Sequence, residues 1–190
     1  MKYNFPIVIF AGGKSRRMGQ DKALLPFQNY TTLTEFQYHK LSQLFEKVYI
    51  STKTDKFDFN ANLILDNNKI SSPLVGLISI FETLSVEKIF VLSVDSPLVK
   101  KEVFDKIIKS FKPEYNTIIA KSSRGIEPLC GIYTKEILPY AYEQLKQDNH
   151  KLTYLLQTLK TKLIPFEEET SFTNLNYYVD YEKALHHSFS

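Results

Sequence analysis

Two short, uninterrupted apolar runs constrain the fold of this chain more than any other feature. They occupy residues 6–11 (PIVIFA) and 89–94 (IFVLSV), and they end at a pair of glycines and at Asp95, respectively. Continuous β-branched runs of this length are typical of parallel strands buried on both faces of a sheet. Such strands need helices on both sides of the sheet, so we expect an α/β domain.

Helical and strand patterns alternate between and after these runs. The spacing of apolar residues predicts helices over 33–45, 73–84, 102–111, 137–145 and 152–159, and strands over 48–51, 63–66, 117–120 and 128–133. This alternation indicates crossover connections and a mostly parallel sheet. In open sheets of this kind, ligands bind beyond the carboxyl ends of the strands.

Composition limits the classes of protein that the chain can represent. The 190 residues carry no linker or repeat, which favours a single domain over residues 1–190. The 24 Lys and Arg residues against 21 Asp and Glu give a net charge of +3, which requires neither a nucleic acid nor a membrane as partner. One cysteine forms no internal disulfide, and no segment approaches the length of a membrane span. We therefore expect a cytoplasmic protein.

A glycine-rich basic loop, residues 11–22 (AGGKSRRMGQDK), follows the first apolar run directly. Glycines let backbone N–H groups approach phosphate oxygens, and fixed cations neutralise the phosphate charge. The loop is not a Walker A motif, because Val8 stands where that motif needs a glycine, and its adjacent glycines do not fit the dinucleotide pattern. The composition favours a phosphate-rich ligand, with a solvated surface turn as the alternative.

The whole string resembles the A-G-G-x-S-x-R-M-G-x-D-K signature of the molybdenum cofactor guanylyltransferases, the MobA-like branch of the nucleotidyltransferases. The resemblance continues through Asp66 and through residues 73–76 (PLVG), 93–97 (SVDSP) and 174–176 (NLN). It implies a Rossmann-like three-layer domain similar to nucleotide-diphospho-sugar transferases, with a nucleotide-binding half at about 1–100 and an acceptor-binding half at about 101–190. It also implies transfer of GMP from GTP to molybdenum-molybdopterin, with Mg²⁺ as cofactor and pyrophosphate as product.

The same resemblance implies roles for individual residues. Arg17, Lys22 and Asp95 would be catalytic, with Arg17 and Lys22 facing the phosphates and Asp95 binding the metal. A carboxylate at the end of a central strand suits a magnesium ion that bridges a nucleotide. The implied nucleotide-binding residues are Phe10, Ala11, Gly12, Gly13, Lys22, Ser51, Asp66 and Asp95.

The chain departs from its apparent family at two positions. Ser51 stands where relatives often carry an asparagine, and a serine reaches less far. Glu127-Pro128 replaces a His-Pro pair on the acceptor side. Outside the family pattern, Cys130 and the four histidines are interpreted as packed or solvated side chains without a role.

The resemblance also indicates partners and leaves alternatives open. Expected substrates are GTP and the molybdenum cofactor, candidate protein partners are other cofactor-biosynthesis proteins and apo-molybdoenzymes, and we expect a monomer. A cytidylyltransferase is one alternative, although its motif usually has alanine at the position of Gly12. A sugar-phosphate nucleotidyltransferase and a catalytically silent GTP-binding regulatory module are the others, and the presence of Lys22 with Asp95 disfavours the silent module.

Overall fold

The computed structural model describes residues 2–12, 19–66 and 72–186, so the predicted site residues Gly13 and Arg17 lie outside it. The described residues form a seven-stranded sheet with the strand order β3-β2-β1-β4-β6-β5-β7. The strands are β1 Ile7–Phe10, β2 Val48–Thr52, β3 Leu63–Leu65, β4 Lys88–Ser93, β5 Thr117–Ser122, β6 Gly125–Thr134 and β7 Thr161–Pro165.

The direction of the strands decides which residues share an edge of the sheet. β1 pairs in parallel with β2 and β4, β2 with β3, and β5 with β7. β6 is antiparallel to both of its neighbours, β4 and β5. The amino-terminal part of β6 therefore lies at the same edge as the carboxyl ends of β1, β2 and β4.

Six helices occupy the two faces of the sheet in the described ranges. They are α1 Leu33–Ser42, α2 Pro73–Thr83, α3 Lys101–Lys109, α4 Leu138–Lys146, α5 Leu152–Thr158 and α6 Tyr178–Leu185. The sequence predicts the first five of these with shifts of no more than three residues at their ends. It misses α6, because only Tyr181 and Ala184 of that helix are buried and no continuous apolar face marks it.

Alternate residues of the central strand point to opposite faces and feed two separate cores. Ile7 and Ile9 of β1 pack with residues of α1, α3 and α6, whereas Val8 and Phe10 pack with residues of α2, α4 and α5. Each fully buried aliphatic side chain contributes about 1.5–3 kcal/mol by leaving water, so continuous apolar strands stabilise both faces. The predicted three-layer α/β fold is confirmed.

Candidate active site

Lys22 and Asp95 form an ion pair at the carboxyl edge of the sheet, although 73 residues separate them in the chain. Lys22 begins a short 3₁₀ turn, Lys22–Leu24, and Asp95 follows the end of β4. The Lys22 Nζ atom lies 2.8 Å from the Asp95 Oδ2 atom, and the two side chains are only 16% and 18% exposed. Lys22 Nζ also donates a hydrogen bond to Asn176 Oδ1 at 3.2 Å. A cation is thus already held between a carboxylate and an amide oxygen.

The carboxylate of Asp95 is held by its own neighbours. The Ser93 hydroxyl donates to Asp95 Oδ1 at 2.6 Å, and the Leu175 N–H donates to the Asp95 carbonyl at 2.8 Å. The Ser96 hydroxyl donates to Asn174 Oδ1 at 2.6 Å, which ties the 174–176 segment to the same loop. These bonds hold the carboxylate in one geometry before any ligand arrives.

Two polar residues of α1 donate hydrogen bonds to the backbone of residues 93–99, the end of β4 and the loop that follows it. The Gln37 side-chain amide donates to the carbonyls of Ser93 and Val94 at 3.0 and 2.9 Å. The Lys40 ammonium donates to the carbonyls of Pro97 and Val99 at 2.7 and 2.8 Å. Burial lowers the pKa of Lys40 to about 8, because the charged form loses its water. Sequence reasoning missed both side chains, since polar residues on a helix ordinarily face solvent.

A small cavity of about 130 Å³ opens at the ends of β1 and β2. Four of the predicted nucleotide-binding residues line it, namely Phe10, Gly12, Ser51 and Asp66. A fifth, Ala11, lies beside it, and its N–H donates to the Ser51 carbonyl at 3.0 Å. The structure therefore brings five of the seven described members of the predicted nucleotide set together, and the other two, Lys22 and Asp95, form the ion pair.

Two glycines at this cavity differ in what they permit. A Cβ atom on Gly76 of α2 would lie 2.8 Å from Phe10 Cε1, so the absence of a side chain lets the phenyl ring occupy its place. A Cβ on Gly12 would meet no atom of the described residues within 4 Å. Packing within the described chain therefore explains the glycine at 76 but not the glycine at 12, which is consistent with a ligand approaching Gly12.

A second cavity, of about 430 Å³, adjoins the first. Its volume is within the usual range for small-molecule sites. Both cavities are lined by Pro73, Ser93 and Leu129. Asp95 lines the larger one, and its carboxylate accepts a hydrogen bond from Ser93, which lines both.

An irregularity in β6 shapes the wall of the larger cavity. The pairing with β5 moves from Ile119 opposite Gly131 to Ala120 opposite Glu127, which leaves residues 128–130 without partners on β5. Pro128 has no N–H to donate to a ladder, and bulges of this kind redirect side chains beside functional sites. Residues 127–130 all line the cavity.

Two residues without a predicted role also lie at this cavity. Cys130 is 3% exposed, which confirms the predicted packed side chain, and burial raises the pKa of its thiol. His150 lines the cavity and contacts Ser72 Oγ through Nδ1 at 3.0 Å and Asp148 Oδ1 through Nε2 at 3.1 Å. No spacing signal in the sequence indicated this position for His150.

The oxygen donors near Lys22 fit a nucleotide-borne metal ion. No group of three His, Cys, Asp or Glu side chains suited to a metal occurs among the described residues. Asp95 Oδ2 and Asn176 Oδ1 nevertheless both contact the Lys22 ammonium. Because Mg²⁺ is commonly held by one or two carboxylates together with substrate phosphates and water, this donor set suits a metal that arrives with its nucleotide.

None of the helices described in residues 2–12, 19–66 and 72–186 is both long and apolar enough to cross a membrane.

The fold and the site together define a class. The strand order reverses between β1 and β4, and a ligand site at the carboxyl ends of strands beside such a reversal is characteristic of doubly wound nucleotide-binding proteins. A family model, the MobA-like NTP transferase domain, matches residues 7–162. The chain belongs to that family.

Individual relatives agree with this assignment. The chain is 42% identical over 178 residues to a molybdenum cofactor guanylyltransferase from Campylobacter jejuni subsp. doylei, with 93% of each chain covered. It is 36% identical over 190 residues to a protein of the same name from Helicobacter pylori, with 96% of this chain and 92% of the relative covered. The crystal structure of molybdopterin-guanine dinucleotide biosynthesis protein A from Archaeoglobus fulgidus superposes with a TM-score of 0.80 at 22% identity, covering 95% and 96% of the chains, and shares the fold.

Proposed function

We propose that this protein transfers GMP from GTP to the phosphate of molybdenum-molybdopterin and releases pyrophosphate. The relatives at 42% and 36% identity are named for this guanylyl transfer. The observation that carries the proposal is the junction of two cavities at Ser93, beside the Lys22–Asp95 pair. A transferase needs two substrates to meet at one reacting atom, and this arrangement supplies such a meeting point.

The nucleotide occupies the small cavity in this proposal. The guanosine lies against Phe10, Ser51 and Asp66, with the backbone at Ala11 and Gly12 close to it. The triphosphate extends toward Lys22, and Gly13 and Arg17 of the family signature bind it as well. The acceptor enters the larger cavity, so the nucleotide-binding half contributes most of one site and the acceptor-binding half most of the other.

The reaction is a displacement at the α-phosphorus of GTP. An oxygen of the acceptor phosphate forms the new bond, the bond between the α-phosphorus and the bridging oxygen breaks, and pyrophosphate leaves with that electron pair. The acceptor oxygen is already anionic, so no strong general base is needed, and catalysis depends on positioning and on charge neutralisation. Lys22 and Arg17 stabilise the negative charge on the triphosphate.

Asp95, with Asn176 beside it, would hold Mg²⁺ brought by the nucleotide. The ion, when bound, withdraws charge from the triphosphate and helps to orient it. Lys22 then contacts the phosphates, because its ammonium is a compact cation suited to a phosphate oxygen. We further propose that the protein acts as a cytoplasmic monomer and delivers its product to cofactor-biosynthesis proteins and apo-molybdoenzymes.

The test is pyrophosphate release measured with GTP, CTP, ATP and UTP, each with Mg²⁺ and with molybdopterin, a sugar phosphate or no acceptor. We expect release with GTP only, and only when molybdopterin is present. Release with CTP instead would identify a cytidylyltransferase, and release with a sugar phosphate in place of the pterin would identify a different acceptor. Tight GTP binding without turnover would identify a silent binding module.

A further inference from the structure

Glu127 is the feature of the larger cavity that the proposed reaction leaves unexplained. Its half-buried side chain lines the cavity from the bulged part of β6. The acceptor proposed for this cavity carries a phosphate, and two negative charges in one partly enclosed space repel each other. A carboxylate at this position therefore suits a part of the ligand that is far from the phosphate and donates hydrogen bonds.

The carboxylate of Glu127 is held in a defined orientation. The buried Ser122 hydroxyl donates to Glu127 Oε1 at 2.7 Å, and the Arg124 N–H donates to the same hydroxyl oxygen at 3.2 Å. The Arg124 guanidinium in turn donates to the carbonyl of Phe172, another residue of the cavity wall. Glu127 Oε2 has no hydrogen-bond partner within the described parts of the chain, so the carboxylate retains acceptor capacity.

The backbone around Glu127 supports the same interpretation. The bulge leaves residues 128–130 unpaired with β5, and the Tyr133 hydroxyl donates to the Pro128 carbonyl at 2.7 Å. Because Glu127 and Pro128 both accept hydrogen bonds from the chain, the bulge holds the Glu127 side chain more rigidly than a loop would. Glu127 is thus a prepositioned acceptor of hydrogen bonds at a cavity wall.

We infer that Glu127 binds the amino-substituted edge of the acceptor's pterin ring and determines specificity for that heterocycle. A pterin presents its 2-amino group and the neighbouring ring N–H side by side, and this pair of donors matches the two oxygens of a carboxylate. A site built to pair with a donor rejects an analogue that lacks it, because its own polar group is then left without a partner. This inference rests on the proposed function, and no covalent step is assigned to Glu127.

Binding of two model heterocycles tests the inference without turnover. The probes are unsubstituted pterin and lumazine, which differs from pterin only by an oxo group in place of the 2-amino group, and both are titrated by fluorescence. We expect the wild-type protein to bind the pterin at least about tenfold more tightly than lumazine, the difference typical of a charged hydrogen bond. Glu127→Gln should lose most of this preference, since the amide presents one acceptor and one donor. Glu114→Gln, which removes an exposed carboxylate elsewhere, should keep it.

Kinetics supply the second measurement. Glu127→Gln should raise the KM for molybdopterin about tenfold and leave the KM for GTP unchanged. Ser122→Ala, which removes the donor that orients the carboxylate, should produce a smaller rise in the same constant. Equal binding of both probes by the wild-type protein, absence of pterin binding, or an unchanged KM for molybdopterin in Glu127→Gln would overturn the inference. Failure of the wild-type protein to release pyrophosphate from GTP with molybdopterin would instead overturn the proposed function.

Discussion

The proposed nucleotide side and the proposed acceptor side of the site are built from strands that run in opposite directions, and they differ in how much of each could be predicted from the sequence. On the nucleotide side, Phe10, Ser51 and Asp95 lie at or just beyond the ends of parallel strands. On the acceptor side, Glu127 belongs to the amino-terminal part of the antiparallel strand β6. Parallel strands bring their carboxyl ends to one edge whatever their order, whereas the direction of β6 is decided only by tertiary pairing.

The two sides also differ in their internal contacts. Asp95 is bonded by Lys22, by Ser93 and, through its carbonyl, by Leu175. Glu127 has one side-chain partner, Ser122, among the described residues. The nucleotide side is therefore assembled as a charged network in advance, while the acceptor side presents a polar group to the cavity. Substitutions on the nucleotide side should therefore change kcat or the KM for GTP, whereas Glu127→Gln on the acceptor side should change the KM for molybdopterin.

Asp95→Asn should produce the largest effect. The amide keeps the volume of the side chain but removes the charge that pairs with Lys22 and would bind the metal, so we expect kcat for GMP transfer to fall more than about 10³-fold. The backbone bond from Leu175 is retained, so thermal unfolding should change little. Steady-state pyrophosphate release at limiting Mg²⁺ measures this, with the exposed Asp58→Asn as the matched control. Unchanged activity would remove Asp95 from the site.

Lys22→Ala should follow, with a loss of about 10²–10³-fold in kcat if the ammonium stabilises the transition state. The KM for molybdopterin should change much less, because Lys22 lies on the nucleotide side. Single-turnover measurements with GTP separate the chemical step from product release. Lys112→Met, at an exposed position, is the control, and a full-rate Lys22→Ala protein would contradict the proposed role.

Gly76→Ala tests the small cavity by steric means. The new Cβ, at 2.8 Å from Phe10 Cε1, displaces the phenyl ring or shifts α2. Overpacking costs about 1–3 kcal/mol, so we expect the KM for GTP to rise about tenfold while the KM for the acceptor stays the same. Gly12→Ala, which meets no described atom, should leave the thermal midpoint unchanged but weaken GTP binding. If Gly76→Ala raised only the KM for the acceptor, the small cavity would bind the acceptor and not GTP.

Lys40→Met should have the smallest effect on rate, a decrease of about fivefold in kcat, because the loop after Asp95 loses two tethers. Its effect on stability should depend on pH. The folded-state pKa of Lys40, about 8, lies below its ordinary value of 10.5. Between these values the unfolded chain binds more protons, so the stability that Lys40 contributes rises from about pH 8 to 10.5. Denaturant unfolding of wild-type and Lys40→Met proteins across this range measures the difference, and parallel pH profiles would contradict it.

Much of the fold could be predicted because the relevant signals are local. The apolar runs that became β1 and β4 are buried on both faces, and their composition shows it without knowledge of their neighbours. Helix α6 could not be predicted, because most of its residues are exposed and its contacts with the core come from Tyr181 and Ala184. The direction of β6 could likewise not be predicted, since the side chains of a strand alternate between the two faces of the sheet in the same way whichever direction it runs.

The site shows the same division between local and long-range signals. The glycine-rich string indicated a phosphate ligand, and its family signature placed Lys22 with Asp95, which lie 2.8 Å apart in the fold. Gln37 and Lys40 carry no such signature, because their carbonyl partners are brought to them only by packing. His150 is a similar case, as its place at the larger cavity depends on the position of α5 against β6. The proximity of residues that share a motif could be predicted, whereas the positions of residues that depend on tertiary contacts could not.

In the proposed reaction, nucleotide and acceptor occupy two adjoining cavities and meet beside Asp95. A crystal structure of the protein with Mg²⁺, an α,β-methylene analogue of GTP and 6-hydroxymethylpterin tests it most directly. We expect guanosine against Phe10 and Ser51, the α-phosphorus beside Asp95, and the pterin edge on Glu127. Guanosine in the larger cavity, or a triphosphate that contacts neither Lys22 nor Asp95, would show that the proposed arrangement of the two substrates is wrong.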